Sequence, residues 1–264
     1  MYRQVRGRAE GRADAVGWWH HGPVPFTLSH PAAVLPLRWL GVPMSALVAG
    51  SMSPDWPVFI GAWGAYHFTH SWAGVFLLDW VVAVAAVAVW FAWLRSPLVD
   101  LSPDFVRRRL APTVTISRRG WLLMPLGAVV GSAIHLLWDE LVHPDAWGAS
   151  HIRWIGEMHG GVAGTTWAQA VSDVVGLAVV LVWLVVHIAR QSAGASSPRV
   201  LRGDVAPWVL ALAGAVAVAA TVTQSSGGLV NLAFHLAVNG VAAACAFGVA
   251  VIVAWQVASR ARSR

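Results

Sequence analysis

Charge and cysteine are scarce in this sequence. Of the 264 residues 11% are charged, all 18 basic residues are arginine, and Cys245 is the one cysteine. One cysteine excludes an intramolecular disulfide. The low charge, together with 57% hydrophobic residues, excludes a typical soluble domain and predicts an integral membrane protein.

Missing motifs exclude several enzyme classes. Glutamate occurs only at Glu10, Glu140 and Glu157. The paired-glutamate element of membrane-embedded CAAX-type proteases is therefore absent, although His235 and Asn239 match the spacing of their His-x-x-x-Asn element. The histidines are too scattered for a membrane di-iron oxygenase. The sequence also lacks a Gly-rich phosphate loop and the nucleophile elbow of a serine hydrolase.

The apolar segments predict an all-α integral membrane protein with about five transmembrane helices. The predicted spans cover residues 72–94, 121–138, 167–188, 205–222 and 229–257. Before them, prolines and Gly41 interrupt the apolar pattern of residues 31–53. This favours an N-terminal helical hairpin and leaves a sixth, interrupted span open. Such a hairpin would bring His30, at its entrance, beside Asp55, at its exit.

The chain is expected to form one domain with a tail at each end. Residues 25–258 would be a single helical membrane domain, and residues 259–264 a cytoplasmic tail. Residues 1–24 are rich in Arg and Gly and have no hydrophobic core, so they do not form a signal peptide. We interpret them as a disordered tail or a mis-annotated start.

The distribution of arginine predicts the orientation in the membrane. Residues 95–119, 190–204 and 259–264 hold six, three and three arginines, whereas the loops between them hold at most one each. The positive-inside rule then places the C-terminus in the cytoplasm of a bacterial cell. The basic residues are explained by topology, so we expect membrane lipids and no nucleic acid as partners. Five spans with a cytoplasmic C-terminus would place the N-terminus outside, which conflicts with the four arginines in the first 12 residues. The conflict disappears if residues 31–53 cross the membrane as a sixth span, or if the first 23 residues are not part of the working protein.

A stripe of metal-ligand side chains lies near the end of the second span. His135, Asp139 and His143 are spaced i, i+4 and i+8, so a helix presents them on one face. Imidazole and carboxylate are ligands that Zn²⁺, Fe²⁺ and Mn²⁺ accept. A polar seam between packed helices is the alternative interpretation.

Further ligand-type residues fall at the same predicted membrane face. The expected metal ligands are His30, Asp55, His70, His135, Asp139 and His143. Residues expected to support them by hydrogen bonding are His67, Asp79, Gln169, Asp173 and His235. A random scatter of polar residues would not select one leaflet, so we expect a single site near the extracytoplasmic surface.

Four segments carry a resemblance to a known family. They read VPFTLSHPAAVLPL, SALVAGSMSPDWP, HFTHSWAGVFLLD and HLLWDELVHPDAW. Over most of residues 25–184 the sequence resembles the bacterial membrane family catalogued as domain of unknown function 4184. That family is similar in motif style to membrane-bound metal-dependent hydrolases, whose shared elements correspond here to His30, Pro54 with Asp55, Thr69 with His70, and His135 with Asp139. The resemblance implies a metal site, and it implies a start at Val24 that leaves residues 1–23 upstream.

These observations favour a metal-dependent hydrolase that acts on a lipid-like or membrane-associated substrate. A divalent ion, with Zn²⁺ as the first expectation, would activate water, and Asp139 or Glu140 would serve as the base. The alternative is a non-enzymatic metal-binding or structural membrane protein. Transport is less favoured, because the cytoplasmic halves of the spans hold almost no polar residues.

Overall fold

The protein is helical throughout most of its described length. The computed structural model describes residues 27–195, 198–201, 205–224 and 229–262. The long helices are α5 (Trp72–Leu101), α7 (Arg118–Val142), α10 (Gly164–Ala189), α11 (Val205–Gln224) and α12 (Leu229–Arg262). The short helices are α1 (Pro31–Val34), α2 (Met44–Met52), α3 (Trp56–Phe59), α4 (Trp63–Thr69), α6 (Asp104–Arg107), α8 (Trp147–His151) and α9 (Arg153–Gly156). The predicted all-α fold is confirmed.

Short non-α elements connect these helices. The 3-10 turns cover Thr27–Ser29, Leu35–Leu40 and Ser53–Asp55. Between α9 and α10 the strands β1 (Met158–His159) and β2 (Val162–Ala163) pair as an antiparallel hairpin. The turn between the two strands consists of Gly160 and Gly161, both with positive φ angles, which glycine adopts without a steric penalty. The stretch between the second and third predicted spans thus contains two short helices and a hairpin.

Four helical segments are long and apolar enough to cross a membrane. They are Trp72–Leu101, Arg118–His151, Gly164–Ala189 and Val238–Arg262. Helix α11 contains a shorter apolar stretch, Ala211–Val222, so the number of five crossings stays a prediction. In the most apolar stretch of Arg118–His151, 39% of the residues are buried inside the protein. The corresponding share for Gly164–Ala189 is 6%. Helix α7 is therefore the central helix, and α10 presents most of its apolar surface outward.

Exposed tryptophans mark the two ends of the apolar layer. Trp72 and Trp93 lie near opposite ends of α5, and both are exposed. Their separation of 21 positions corresponds to about 31 Å of helix. This length matches the hydrocarbon core of a bilayer, whose interfaces tryptophan favours. The fold therefore has the dimensions of a membrane bundle.

The first span is longer than the sequence pattern predicts. Helix α5 continues to Leu101 and includes π-helical segments at Val75–Asp79 and Trp90–Leu94. The extension is stabilised at Asp100, whose carboxylate accepts hydrogen bonds from Arg107, from the backbone N–H of Val200 and from Trp255 Nε1. A single carboxylate thereby ties α5, α6 and α12 together at the arginine-rich end.

The segment before α5 folds as short helices. Helix α2 is nine residues long, or about 14 Å, so it is too short to cross a bilayer by itself. Gly41, with φ of 72°, ends the 3-10 turn Leu35–Leu40, and Pro43 then precedes α2. The chain reverses here, which gives the predicted hairpin of short helices.

Helices α2 and α7 approach each other backbone to backbone. A Cβ atom at Gly50 would lie 2.2 Å from the carbonyl oxygen of Ala128, and one at Gly131 would lie 2.3 Å from that of Leu47. Neither position can therefore hold a side chain unless the helices move apart. Such contacts between small residues are how membrane helices gain close packing. One turn after Gly131 comes His135, and directly after Gly50 comes Ser51.

This contact predicts a selective effect of adding one methyl group. Gly131→Ala should destabilise the folded protein by about 1–3 kcal/mol, because backbone atoms are forced apart. Thermal unfolding of the protein in detergent micelles measures the change. Gly248→Ala is the matched control, since no atom lies within 4 Å of its added Cβ. Equal unfolding temperatures for the two variants would contradict the proposed packing constraint.

Candidate metal centre

Five ligand-type side chains from four separate segments converge at one end of the bundle. They are His30 before α1, Asp55 at the end of a 3-10 turn, His70 after α4, and His135 and Asp139 on α7. This is the end at which α5 and α10 begin and α7 finishes. Four of the five are buried, and His70 is partly buried. We refer to these five residues as the His/Asp cluster.

The donor atoms of the cluster have the spacing of ligands around one ion. The Nε2 atoms of His70 and His135 lie 3.2 Å apart. Asp55 Oδ1 lies 3.2 Å from His70 Nε2 and 3.5 Å from His135 Nε2. Asp139 Oδ2 lies 3.5 Å and 3.3 Å from the same two atoms. Tetrahedral ligands about 2.1 Å from zinc are about 3.4 Å from one another.

Backbone carbonyls fix the proton positions on two of the histidines. His135 Nδ1 lies 2.8 Å from the carbonyl oxygen of Ser51, and His70 Nδ1 lies 3.0 Å from that of Tyr66. A carbonyl oxygen only accepts, so each Nδ1 carries a proton and donates it. In the neutral imidazole, Nε2 then presents a lone pair. The two Nε2 atoms lie 3.2 Å apart, and a cation between them would satisfy both.

The carboxylates of the cluster lack compensating donors. Three buried carboxylate oxygens have no hydrogen-bond partner among the described residues. They are both oxygens of Asp55 and Oδ2 of Asp139. Burial alone would raise the pKa of Asp55, but the adjacent imidazoles, His135 foremost, outweigh burial and lower the pKa below its ordinary value. A bound cation would act in the same direction.

The cluster can therefore hold a metal ion. Two overlapping sets of donors satisfy the required spacing, one of His30, Asp55 and His135 and the other of His70, His135 and Asp139. His135 belongs to both sets and is almost completely buried. Oxygen and imidazole nitrogen donors suit zinc, iron or manganese, and nothing in the geometry selects one of them.

Two further histidines border the shared donors. The ring of His30 stacks on that of His135 with 4.0 Å between centroids, and its Nε2 lies 3.2 Å from Asp139 Oδ1. His143 Nε2 lies 3.5 Å from Asp139 Oδ2, and its side chain is more exposed. His30 thus closes the buried side of the cluster, and His143 lies on its more accessible side.

Several supporting residues are not identifiable from ligand chemistry. Ser51 and Tyr66 act through their backbone carbonyls, which any residue possesses. The ring of Tyr66 also stacks on His70 at 3.8 Å, and burial together with the charges of Asp55 and Asp139 raises its pKa, so the phenol keeps its proton. Thr69 Oγ1 donates to the carbonyl of Pro54 across 2.7 Å, which joins the segment of His70 to that of Asp55. The Tyr66–His70 spacing of i, i+4 was the one available signal.

Glu140 lies outside the cluster, so the structure does not support its predicted role as the base. It is exposed, and its Oε2 accepts a hydrogen bond from the backbone N–H of Trp147. On a helix, consecutive residues point about 100° apart, so Glu140 cannot share the face of Asp139. Its carboxylate instead stabilises the beginning of α8.

The supporting residues proposed from the sequence occupy different environments. His67 is exposed on α4, and His235 lies on α12, outside both sets of donors. Asp79 is fully buried in a π-helical segment, and Gln169 is buried on α10. For both of these, the side-chain polar atoms have no hydrogen-bond partner among the described residues. Asp173 accepts a hydrogen bond at 3.3 Å from the hydroxyl group of Ser29, the residue that precedes His30.

Comparison with known proteins identifies the family. No curated protein and no solved structure matches the sequence. A match to a family described as "Domain of unknown function (DUF4184)" covers residues 24–258. The match includes every residue of the His/Asp cluster and continues through α11 into α12, beyond the four segments that carry the resemblance. The chain belongs to the DUF4184 family.

Proposed function

We propose that this protein is a membrane-bound metal-dependent hydrolase with its metal at the His/Asp cluster. The observation that carries the proposal is the 3.2 Å approach of His70 Nε2 to His135 Nε2 between two buried carboxylates. Each feature alone is costly in a membrane bundle. One divalent cation compensates all of them together.

Four donors would bind the ion. They are His70 Nε2 and His135 Nε2, with Asp55 Oδ1 and Asp139 Oδ2 each 3.2–3.5 Å from both nitrogen atoms. Zn²⁺ is our first expectation, because imidazole and carboxylate ligands are common in its catalytic sites. A bound ion of this kind lowers the pKa of water toward neutrality and polarises a carbonyl or phosphoryl oxygen. Hydrolysis is the reaction class that uses both effects.

We assign to His30 the proton-transfer role that the sequence predicts for Asp139 or Glu140. Its Nε2 lies within hydrogen-bonding distance of Asp139 Oδ1, which leaves Oδ2 of the same carboxylate toward the other histidines. His30 also belongs to the wall of a cavity, where its side chain is 1% exposed. A histidine that contacts a metal-binding carboxylate beside a cavity is placed to give or accept a proton there.

The position of the cluster supports a substrate drawn from the membrane. The cluster lies where α5 and α10 begin, beside exposed tryptophans such as Trp72 and Trp167. Tryptophan favours the membrane–water interface. The arginine-rich loops lie at the other end of the spans, so the cluster would face the extracytoplasmic side of a bacterial membrane. A lipid-like substrate would meet the site without leaving the bilayer.

A structural metal site is the second candidate. It is favoured by the burial of Asp55 and His135, each 1% exposed, because structural sites are closed whereas catalytic sites keep an open position. The two candidates share the metal and differ in turnover. An activity panel with lipid esters, lipid phosphoesters and a chelator control distinguishes them.

Metal content tests the shared premise. Protein purified in detergent should contain close to one equivalent of zinc or another divalent metal, and His135→Ala and Asp55→Asn should each lose it, because a buried ligand is removed. Elemental analysis by mass spectrometry measures this. His187→Ala is the matched control, since that exposed histidine lies near the end of α10 far from the cluster. Equal metal content in all four proteins would refute the metal site.

The role of His30 gives a separate test. His30→Gln should retain the metal but lower turnover by about 10²–10⁴-fold, because glutamine cannot transfer a proton. Metal content and rate on the best substrate of the panel are measured on the same preparation. Loss of the metal in His30→Gln would show that His30 is a ligand, and an unchanged rate would eliminate it from the reaction.

A further inference from the structure

An apolar groove adjoins the His/Asp cluster. It has a volume of about 580 Å³ and lies between the segment that holds Ser29 and His30 and the outer helix α10. Its length on α10 is lined mainly by Val171, Val175 and Val179. His30 is the one residue that both lines the groove and belongs to the cluster.

We infer that this groove binds one hydrocarbon chain of a membrane lipid, with the polar group of that lipid near Trp167, at the face of the bundle where α10 begins. The inference rests on the proposed function and names the substrate class of the same site. It makes the substrate an amphiphile whose scissile bond lies close to its polar end.

The dimensions of the groove fit a single chain. The lining residues on α10 extend from Trp167 to Val179, a distance of about 18 Å along the helix. Carbon–carbon bonds of about 1.5 Å at tetrahedral angles advance roughly 1.25 Å per carbon, so the groove accommodates about 14 carbons. A transmembrane helix about 10 Å wide would fill roughly 1,400 Å³ over the same length and does not fit.

The direction of the groove matches the direction of a lipid. Helix α10 begins at the end of the bundle that carries the cluster and continues into the apolar layer. A chain in the groove would therefore have its polar end near Trp167, at the face of the bundle that carries the cluster, and its methyl end near Val179. Lipids of that leaflet already have this orientation, so entry from the side requires no reorientation.

The lining chemistry also selects a hydrocarbon. The side chains along the groove are mainly valine, alanine and tryptophan. Two polar atoms in its wall are already paired, since Trp138 Nε1 donates to Ser172 Oγ across 2.7 Å. A polar chain would lose its hydration here without gaining partners. A hydrocarbon chain loses nothing and gains close contacts.

Photo-crosslinking of the full chain in detergent tests the groove. The probes are two palmitic acids, one with a diazirine near the carboxylate and one with a diazirine near the methyl end. Mass spectrometry should locate the first label near Trp167 and Ala168 and the second at residues 175–179. Excess unlabelled palmitate should compete with both. The inference would be overturned if the two labels were found in the reversed order along the groove. It would also be overturned if all outward helix faces were labelled to the same extent.

Matched substitutions on one helix separate the groove from the lipid-facing surface. Val175→Trp fills the groove and should reduce crosslinking about tenfold, since contacts with several methylenes are lost. Val174→Trp adds the same side chain at a position that is 71% exposed and outside the groove, and it should have no effect. Ala33→Phe fills the groove from the opposite wall and serves if Val175→Trp does not fold. Undiminished crosslinking in a folded filling variant would overturn the inference.

Metal content of the same preparations distinguishes this inference from the proposed function. Both tryptophan variants should retain the metal of the unmodified protein, because neither position contacts the cluster. Groove labelling in a protein without metal would refute the hydrolase and leave chain binding. Metal without groove labelling would refute chain binding alone.

Discussion

The contact between α2 and α7 is the constraint on which the rest of the site depends. Because Gly50 and Gly131 have no side chains, the two backbones touch, and the carbonyl of Ser51 comes within 2.8 Å of His135 Nδ1. This one hydrogen bond decides which ring nitrogen keeps the proton and turns Nε2 toward the other donors. A shift of an ångström between the helices would break the bond and release the ring. Packing of small residues, which carry no chemistry, therefore sets the chemistry of the site.

Electrostatics explains why the donors come from four separate segments. Two carboxylates and three imidazoles on one short segment would have to leave water together before any partner was present. Here the donors meet only when α2, α4 and α7 have packed. The carboxylates and imidazoles therefore leave water only when the bundle is assembled and their partners are present. The hydrogen bond from Thr69 to Pro54 connects the chain on either side of α3 and holds Asp55 near His70. Folding and formation of the cation-binding pocket are thus one event.

The sequence predicts what depends on periodicity and composition, and it misses what depends on backbone atoms. Helical spacing places His135 and Asp139 on one face, and the proline pattern predicts the hairpin that brings His30 toward Asp55. The carbonyls of Ser51 and Tyr66 have no signature, because every residue has one. Glu140 points about 100° away from Asp139 on the same helix, and its carboxylate accepts a hydrogen bond from Trp147. The continuation of α5 to Leu101 depends on Asp100, whose partners Val200 and Trp255 are about 100 and 155 positions away.

The asymmetry of the bundle connects the cluster to the groove. Helix α7 is the most buried span and α10 the least buried, so the cluster lies on the central helix and the groove lies against a peripheral one. His30 is located between them, since its ring stacks on that of His135 and the residue also lines the groove. The side chain of His143 is 24% exposed and that of His30 is 1% exposed. The cluster is therefore more open on the side of His143, and on the side of His30 it is closed by the segment that forms one wall of the groove.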